Sequence, residues 1–229
     1  MRPASPPAAS PRGPGPTCIP EPAHSRPRYP RPVADRSAAE VPEAGLRRTT
    51  DGIEVAGAGW FVLNLTECVW KGAPGRGRYG VLESSEAPFE QFGIGVHVLE
   101  PGERNGMYHG EDAQEGFLVL SGECLLLIEG RERRLGPWDF VHVPPWTRHI
   151  FVGAGDGPCA ILMVGARVPG RGIEYPVEPL ALRHRAGVER ATTSPKEAYA
   201  DAPALTTRPF QQGDLPCAAA PEPRSHASQ

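Results

Sequence analysis

The sequence predicts an all-β protein, an antiparallel barrel or jelly roll, from three observations. Short apolar runs recur at near-even spacing from residue 93 to residue 164. Turn-forming glycine and proline separate them, as at Pro101-Gly102, Ser121-Gly122 and Pro144-Pro145. No helical pattern of ten or more residues interrupts the series. Many short strands joined by such turns are typical of closed or double-sheet β architectures.

The strands are predicted in order from apolar or aromatic runs that end at turn residues. A glycine-rich loop is predicted at residues 71–78, because its composition fits no regular element. After the last strand, residues 175–182 read as an extended strap across the barrel surface. The predicted strands cover residues 59–65, 79–82, 93–99, 116–120, 123–129, 131–135, 139–143, 149–152 and 159–164.

The chain is predicted to hold a single domain flanked by disordered tails. Its 28 prolines and 27 glycines are unevenly spread, and residues 1–49 form a Pro/Arg-rich tail with few side chains to bury. The barrel is expected over residues 50–182, followed by a C-terminal extension at 183–229. Ser194-Pro195-Lys196-Glu197 fits a capping box, which predicts a short helix near residues 195–200. Beyond that helix the extension is expected to be disordered.

Charge and composition exclude several classes of partner. The formal net charge is −3, and the absence of a long basic stripe gives no reason to expect nucleic acid. No apolar stretch approaches the ~18 residues of a membrane span, so we expect no membrane contact and a cytoplasmic location. Cys68, Cys124 and Cys159 lie in apolar runs without a C-x-x-C pair. We therefore expect buried, inert thiols.

Four side chains that can bind metal lie on or beside predicted strands. His109, Glu111 and Glu115 have the same parity as Phe117, so all can point into one barrel interior. His149 begins another strand and can reach the same centre from across the barrel. Two imidazoles with one or two carboxylates suit one divalent ion such as Fe, Mn, Zn or Ni.

Two sequence blocks, at residues 101–123 and 136–149, resemble the two motifs of the cupin superfamily, G-x5-H-x-H-x3-4-E-x6-G and G-x5-P-x-G-x2-H-x3-N. Gly102, His109, Glu115 and Gly122 fit the first pattern, although six residues separate Gly102 from His109 and Glu111 replaces the second histidine. An alignment that keeps five intervening residues places Tyr108 and Gly110 at the ligand positions; we prefer the first because it retains three potential ligands.

The second block departs further from the family pattern. Pro144 and His149 match, whereas Trp138 and Trp146 stand at the family's glycine positions and Gly153 replaces its asparagine. The resemblance covers roughly residues 90 to 165. It implies a double-stranded β-helix, the small jelly-roll barrel of cupins, and a metal site in which His109, Glu115 and His149 are ligands, joined by Glu111.

Two functions are compatible with this resemblance. The first is a metal-dependent enzyme, of dioxygenase or isomerase type, acting on a small polar molecule. The alternative is a non-catalytic small-molecule-binding or sensor module, favoured by the departures from the motifs. In either case we expect a small-molecule ligand and a homodimer, since unpaired sheet edges are commonly covered by a second copy.

Other polar residues have simpler interpretations. His97 and His142 are expected to be core or interface histidines rather than ligands. Tyr108 is either a packing residue or a hydrogen-bond donor to a substrate, and Gln114 either supports Glu115 or lies on the surface. The basic residues at 130–134 are expected to form a charged hairpin tip.

Overall fold

The computed structural model describes residues 40–86 and 88–216. Strands dominate this part of the chain, and the helices are short. In chain order the elements are β1 Gly45–Thr49, β2 Gly52–Ala56, β3 Trp70–Gly72, β4 Arg78–Gly80, β5 Phe92–Leu99, β6 Gly110–Glu111, β7 Glu115–Ser121, β8 Glu123–Ile128, β9 Arg131–Leu135, β10 Phe140–Val143, β11 His149–Ala154, β12 Cys159–Ala166, β13 Ile173–Glu174, α1 Pro179–Arg183, α2 Pro195–Ala198 and β14 Thr206–Arg208.

Two antiparallel sheets enclose the main core. One has the order β10-β7-β12-β5-β4-β3-β14, and the other has the order β11-β8-β9. Alternate side chains of β7, β8, β11 and β12 meet between them, and the resulting core includes Phe117, Val119, Leu126, Phe151 and Ile161. This arrangement confirms the predicted all-β jelly-roll fold.

The predicted strands from residue 93 to residue 164 are all present as β5 and β7 to β12, with bounds that differ by a few residues. Their alternation is visible in β7, where Phe117 and Val119 are buried while Leu118 is only partly buried. Cys68, Cys124 and Cys159 are buried and free, as expected. The regular inward and outward alternation is what made these strands readable from the sequence.

The strand predicted at residues 59–65 is wrong. Only Trp60 makes a bridge there, with Glu43, and both Trp60 and Val62 are exposed. The Asn64 side chain instead accepts a hydrogen bond from the Thr66 N–H at 3.0 Å and so closes a turn. The apolar composition resembles a strand, but the segment finds no continuous pairing partner.

The first paired strand begins earlier in the chain than predicted. β1 and β2 form a hairpin from Gly45 to Ala56, so the prediction of a disordered tail is wrong for residues 45–49. Most of β1 is exposed, which is why its composition carries no core signal. The loop predicted at 71–78 is wrong at its ends, because Lys71 and Gly72 belong to β3 and Arg78 begins β4, where Gly72 lies opposite Arg78. The tail predicted at residues 1–39 lies outside the described residues.

The extension after β12 is more regular than predicted. The strap expected at 175–182 is wrong at its end, where Pro179 begins α1 and the Glu178 side chain accepts a hydrogen bond from the Leu180 N–H at 3.0 Å. The capped helix is confirmed: Ser194 accepts a hydrogen bond from the Glu197 N–H at 3.4 Å. However, the Glu197 carboxylate accepts its bond from the Thr192 hydroxyl rather than from the serine backbone.

A last strand returns to the large sheet. β14 pairs with β3, and Arg208 and Arg78 both pair with the buried Asp214. The disorder expected after the short helix is therefore wrong for Thr206–Arg208, while the part of that prediction at residues 217–229 lies outside the described residues. Neither described helix has the length and apolar character needed to cross a bilayer.

Candidate metal centre

A cavity of about 430 Å³ opens between β5, β7, β11 and β12. Its volume lies in the range of roughly 300–1,000 Å³ that is usual for small-molecule sites. Phe117 contributes an apolar wall, and several polar side chains face the same space. These polar residues include Tyr79, His97, Asn105, His109, Glu115 and His149.

Strand pairing places the three central residues. The His109 N–H donates to the His149 carbonyl at 3.2 Å, and the His149 N–H donates back to His109 at 2.9 Å. The two histidines are therefore neighbours along one wall, which corrects the expectation that His149 reaches the centre from across the barrel from His109. Glu115 begins β7 in the larger sheet, opposite Gly165 of β12. It supplies the third group from the facing wall.

The three side chains converge closely enough to share one ion. One ligand atom from each of His109, Glu115 and His149 lies within 4.8 Å of the other two. His149 Nε2 lies 3.4 Å from Glu115 Oε2. Bonds of about 2.0–2.2 Å from nitrogen and oxygen to a divalent metal are compatible with this spacing.

Both imidazoles are fixed in the orientation that a metal site requires. His109 Nδ1 lies 2.8 Å from the Met107 carbonyl oxygen, and His149 Nδ1 lies 3.0 Å from that of Thr147. A carbonyl oxygen only accepts, so each Nδ1 carries the proton and each Nε2 keeps its lone pair. Such backbone bonds on the far ring nitrogen are usual for metal-binding histidines.

The protonation states also favour a cation. Burial lowers the pKa of His109, and burial together with the nearby His109 lowers the pKa of His149 to about 4. Both rings are therefore neutral near pH 7. Burial, together with the charge of Glu111, raises the pKa of Glu115 to about 7. A positive ion in the centre would favour the ionised carboxylate.

Glu115 carries an unpaired atom at the centre. Among the described residues nothing forms a hydrogen bond with its buried Oε2. The nearest partner is His149 Nε2, which presents a lone pair rather than a proton. Two acceptors facing each other at 3.4 Å are unfavourable unless a positive ion or a proton lies between them. The donor set therefore fits a divalent metal.

Glu111 lies on the cavity wall but outside this three-residue cluster. Its buried carboxylate pairs with Arg171 at 2.9 Å, and its backbone carbonyl accepts from the Trp146 N–H at 2.7 Å. The structure thus groups three of the four predicted ligands. It assigns Glu111 an ion pair, which satisfies one of its oxygens.

The other polar residues considered in the sequence analysis are a packing residue, two exposed residues and one residue of the cavity wall. Tyr108 is a packing residue: it is 1% exposed, and its hydroxyl accepts from the Gly130 N–H at 3.2 Å. Gln114 and His142 are exposed, so the core interpretation of His142 is wrong; it lies on the outward face of β10. His97 lines the cavity and stacks on Tyr79 at 4.9 Å between ring centroids.

Two cavity residues escaped the sequence prediction. Asn105 accepts a hydrogen bond from the Phe151 N–H at 3.0 Å, which fixes its amide beside the centre. Arg171 lies in the turn after β12 and reaches back to Glu111. Neither stands at a periodic strand position, and a polar residue in a glycine-rich turn looks like ordinary loop composition. No signal in the sequence pointed to them.

The two tryptophans at glycine positions of the second motif keep the backbone of glycine. The φ angle is +74° at Trp138 and +67° at Trp146, in the left-handed region where a non-glycine residue costs stability. The Trp146 ring packs over Gly172, where an added Cβ would lie only 2.8 Å from the ring. The motif's turns are therefore preserved despite the substitutions.

A family model described as "Cupin domain" matches residues 95–165. That range contains His109, Glu115 and His149, together with every strand from β6 to β11. A search of curated protein sequences found no match to this chain. The family match is therefore confined to the part of the barrel that carries the candidate ligands.

Several solved structures are similar to part of the chain. A sugar phosphate isomerase from Silicibacter pomeroyi, described as from a cupin superfamily, is 26% identical to this chain. The match covers 43% of this chain and 64% of that chain, with a TM-score of 0.38. The polyketide cyclase RemF from Streptomyces resistomycificus is 20% identical, with 42% and 69% covered and a TM-score of 0.37. A cupin-like protein from Thermotoga maritima is 22% identical, with 43% and 74% covered and a TM-score of 0.36.

Proposed function

Because residues 95–165 form a cupin domain, we propose that this protein binds one divalent transition metal ion through His109, Glu115 and His149. The observation that carries the proposal is the buried meeting of two imidazole lone pairs with an unpaired carboxylate oxygen. A site of this kind is unfavourable when empty of positive charge and is satisfied by a cation. The proposal explains why both imidazoles are held by backbone carbonyls.

The ligand types limit the metal. Two neutral imidazoles and one carboxylate suit Fe, Mn, Zn or Ni in the divalent state, and they leave coordination positions open for a bound molecule. No described cysteine belongs to the cluster of candidate ligands, so a thiolate-preferring ion is not favoured. Such a metal would supply Lewis acidity or redox chemistry to a molecule in the cavity.

The cavity residues define what kind of molecule would bind. His97, Asn105 and Tyr79 offer hydrogen-bonding groups, while Phe117 supplies an apolar wall. The amide of Asn105 is held in place by its bond to the Phe151 backbone, so it is oriented before a ligand arrives. We propose a small polar organic molecule as the ligand. Reaction of dioxygenase or isomerase type and binding without turnover are both consistent with this site.

Metal content is the direct test. After chelation and reloading with each candidate ion, we expect about one equivalent in the wild type. His109→Ala and His149→Ala should each weaken binding by more than the roughly 10- to 100-fold that follows loss of an outer partner. His142→Ala is the matched control, because His142 is exposed on β10. Equal metal content in all four proteins would contradict the proposal.

Turnover separates the enzyme from the binding module. Protein loaded with Fe(II) or Mn(II) would be screened against small polar molecules for oxygen consumption and for isomerised products. Activity that depends on His149 but not on His142 would establish an enzyme. Metal-dependent binding of a compound, with no change in that compound, would support the non-catalytic alternative.

We also propose that the protein forms a homodimer through the β10 edge of the large sheet. β10 has a partner on only one side among the described strands, and Trp138 and Phe140 beside it are 75% and 69% exposed. Exposed apolar edges of this kind are commonly covered by another copy. Light scattering after gel filtration should give a dimer for the wild type and a monomer for Phe140→Glu; a wild-type monomer would contradict the proposal.

A further inference from the structure

A second and larger space lies outside the barrel, beneath the C-terminal extension. It has a volume of about 780 Å³ and is bounded by Arg104 and Met107 on the barrel side and by residues 182–202 on the other. Its described lining shares no residue with the cavity at the candidate metal centre. Its volume also lies in the usual range for a ligand site. We call this space the outer groove.

The barrel side of the outer groove presents a guanidinium without a counter-ion. Arg104 is partly buried, and burial together with the charges of Arg76 and Arg185 lowers its pKa. Among the described residues, no carboxylate oxygen lies within the 4.0 Å of an ion pair from Arg76, Arg104 or Arg185. Arg104 and Arg185 both line the outer groove, and Arg76 follows Gly75, whose carbonyl accepts a hydrogen bond from the Arg104 N–H at 3.2 Å. The three like charges thus lie on or beside one groove. Such a cluster is unfavourable unless an anion joins it.

Arg76 is fixed beside this cluster by contacts that do not neutralise it. Its guanidinium lies over the Tyr199 ring at 4.7 Å from the centroid, and Nη1 donates to the Pro203 carbonyl at 3.1 Å. Its buried Nε has no hydrogen-bond partner among the described residues. Arg76 therefore adds positive charge beside Arg104 without itself lining the outer groove.

Acidic residues also line the outer groove, but they belong to its exposed rim. Glu189, Glu197 and Asp201 are all exposed, and the Glu197 carboxylate already accepts a hydrogen bond from Thr192. Water screens charges at such positions. Arg185 and Arg190 are likewise exposed, whereas Arg104 and Arg76 are partly buried. The partly buried charge beneath the rim is therefore positive.

Arg185 occupies a position at which glycine is preferred. It follows α1, and its φ angle is +55°. The Ala186 N–H donates to the Ala181 carbonyl at 2.9 Å and the Arg185 N–H donates to Leu182 at 2.9 Å, which is the bonding pattern of a Schellman helix end. Glycine adopts the left-handed conformation there without cost. An arginine in this place indicates that its side chain has a use.

We propose that the outer groove is a second binding site, in which Arg104 and Arg185 hold a phosphate group and the neighbouring charge of Arg76 adds to the attraction. Guanidinium groups present paired N–H donors that match the oxygens of phosphate. The phosphate group comes either from inorganic phosphate or from a phosphate monoester, whose organic part would occupy the remaining volume of the groove. This site is independent of the metal at His109, Glu115 and His149.

Calorimetric titration of the chelated full-length protein tests the site. The probes are inorganic phosphate and glycerol phosphate, each at constant ionic strength adjusted with chloride. We expect saturable binding of a phosphate compound, which Arg185→Gly should weaken about tenfold or more, since each lost charged hydrogen bond costs about a factor of ten. Arg104→Gln should have a similar effect. His149→Ala should bind phosphate like the wild type.

Two controls keep the result interpretable. Arg133→Gln removes an exposed arginine of β9 and should leave phosphate binding unchanged. Arg185→Gly removes a side chain from a strained position, so a loss of binding without a loss of thermal stability cannot be attributed to misfolding. Tighter binding of glycerol phosphate supports a monoester, and equal binding supports the free anion. No saturable binding of either probe, or wild-type affinity in Arg185→Gly, would overturn the proposal.

Discussion

The cavity inside the barrel and the outer groove differ in the sign of the charge that lacks a partner. In the cavity, the unpaired atom is an oxygen of Glu115 that faces an imidazole lone pair. In the outer groove, the unpaired group is the guanidinium of Arg104; Arg185 lines the same space, and Arg76 follows Gly75, which is bonded to the Arg104 backbone. A buried charge without a partner is costly. Each region is therefore complementary to an ion of the opposite sign.

The two regions also differ in how their residues are held. His109 and His149 are joined by reciprocal backbone hydrogen bonds and oriented by carbonyl groups. By contrast, Arg185 follows a short helix of the C-terminal extension and Arg76 lies in the turn between β3 and β4. Groups built on paired strands are positioned more rigidly than groups on turns. We infer that the cavity is organised before its ligand arrives and that the outer groove adjusts to its ligand.

The largest expected effect is a reciprocal loss of ligand-dependent stability. Metal at about 100 times its Kd should stabilise the wild type by about 2.7 kcal/mol, and phosphate should do the same at its own saturation. Glu115→Gln should abolish the metal effect and keep the phosphate effect. Arg185→Gly should keep the metal effect and, with phosphate binding about tenfold weaker, reduce the phosphate effect to about 1.4 kcal/mol at the same phosphate concentration. Thermal unfolding with each ligand, alone and together, measures both. A variant that loses both effects would show that the two regions are one site.

Much of the barrel was predictable because its signals are local. β7 shows alternating burial that the sequence also shows, and glycine and proline mark the turns on each side. β1 and β14 lack such signals, since they are short, mostly exposed and paired with a neighbouring strand. α1 was missed because Pro176 and Pro179, on either side of Val177 and Glu178, resemble an extended segment, although Pro179 is the first residue of the helix.

The residues of the candidate sites divide in the same way, into those that a local sequence signal marks and those that it does not. His109, Glu115 and His149 stand at positions that the strand period and the motif spacing both mark. Arg171 and Asn105 reach the cavity from irregular segments, which have no period. The outer groove is lined by Arg104 and Arg185, which are distant in the chain and face one space only through the path of the C-terminal extension. No spacing in one sequence encodes that proximity.

A smaller effect concerns protonation of the cavity wall in the metal-free protein. Burial lowers the pKa of His97 from 6.5 to about 4, so the unfolded chain binds more protons between these values. His97 therefore contributes stability fully above pH 6.5, and this contribution is lost as the pH falls towards 4. The change amounts to at most about 3 kcal/mol.

Denaturant unfolding of the metal-free wild type and His97→Gln across pH 4 to 8 measures this contribution. The variant should lose less stability than the wild type on acidification. His142→Gln, at an exposed position, should follow the wild-type curve. Parallel stability curves for the wild type and His97→Gln would mean that burial in the cavity wall does not lower the pKa of His97.

The smallest expected effect compares two residues in the left-handed conformation. Trp138 and Arg185 have φ angles of +74° and +55°, and both side chains are exposed. Replacing either by glycine relieves backbone strain, so each variant should gain up to about 1 kcal/mol in the free energy of unfolding. Only Arg185→Gly should also lose phosphate binding. If Trp138→Gly weakened phosphate binding equally, the loss would reflect a general change in the fold, and Arg185 would have no direct role in the outer groove.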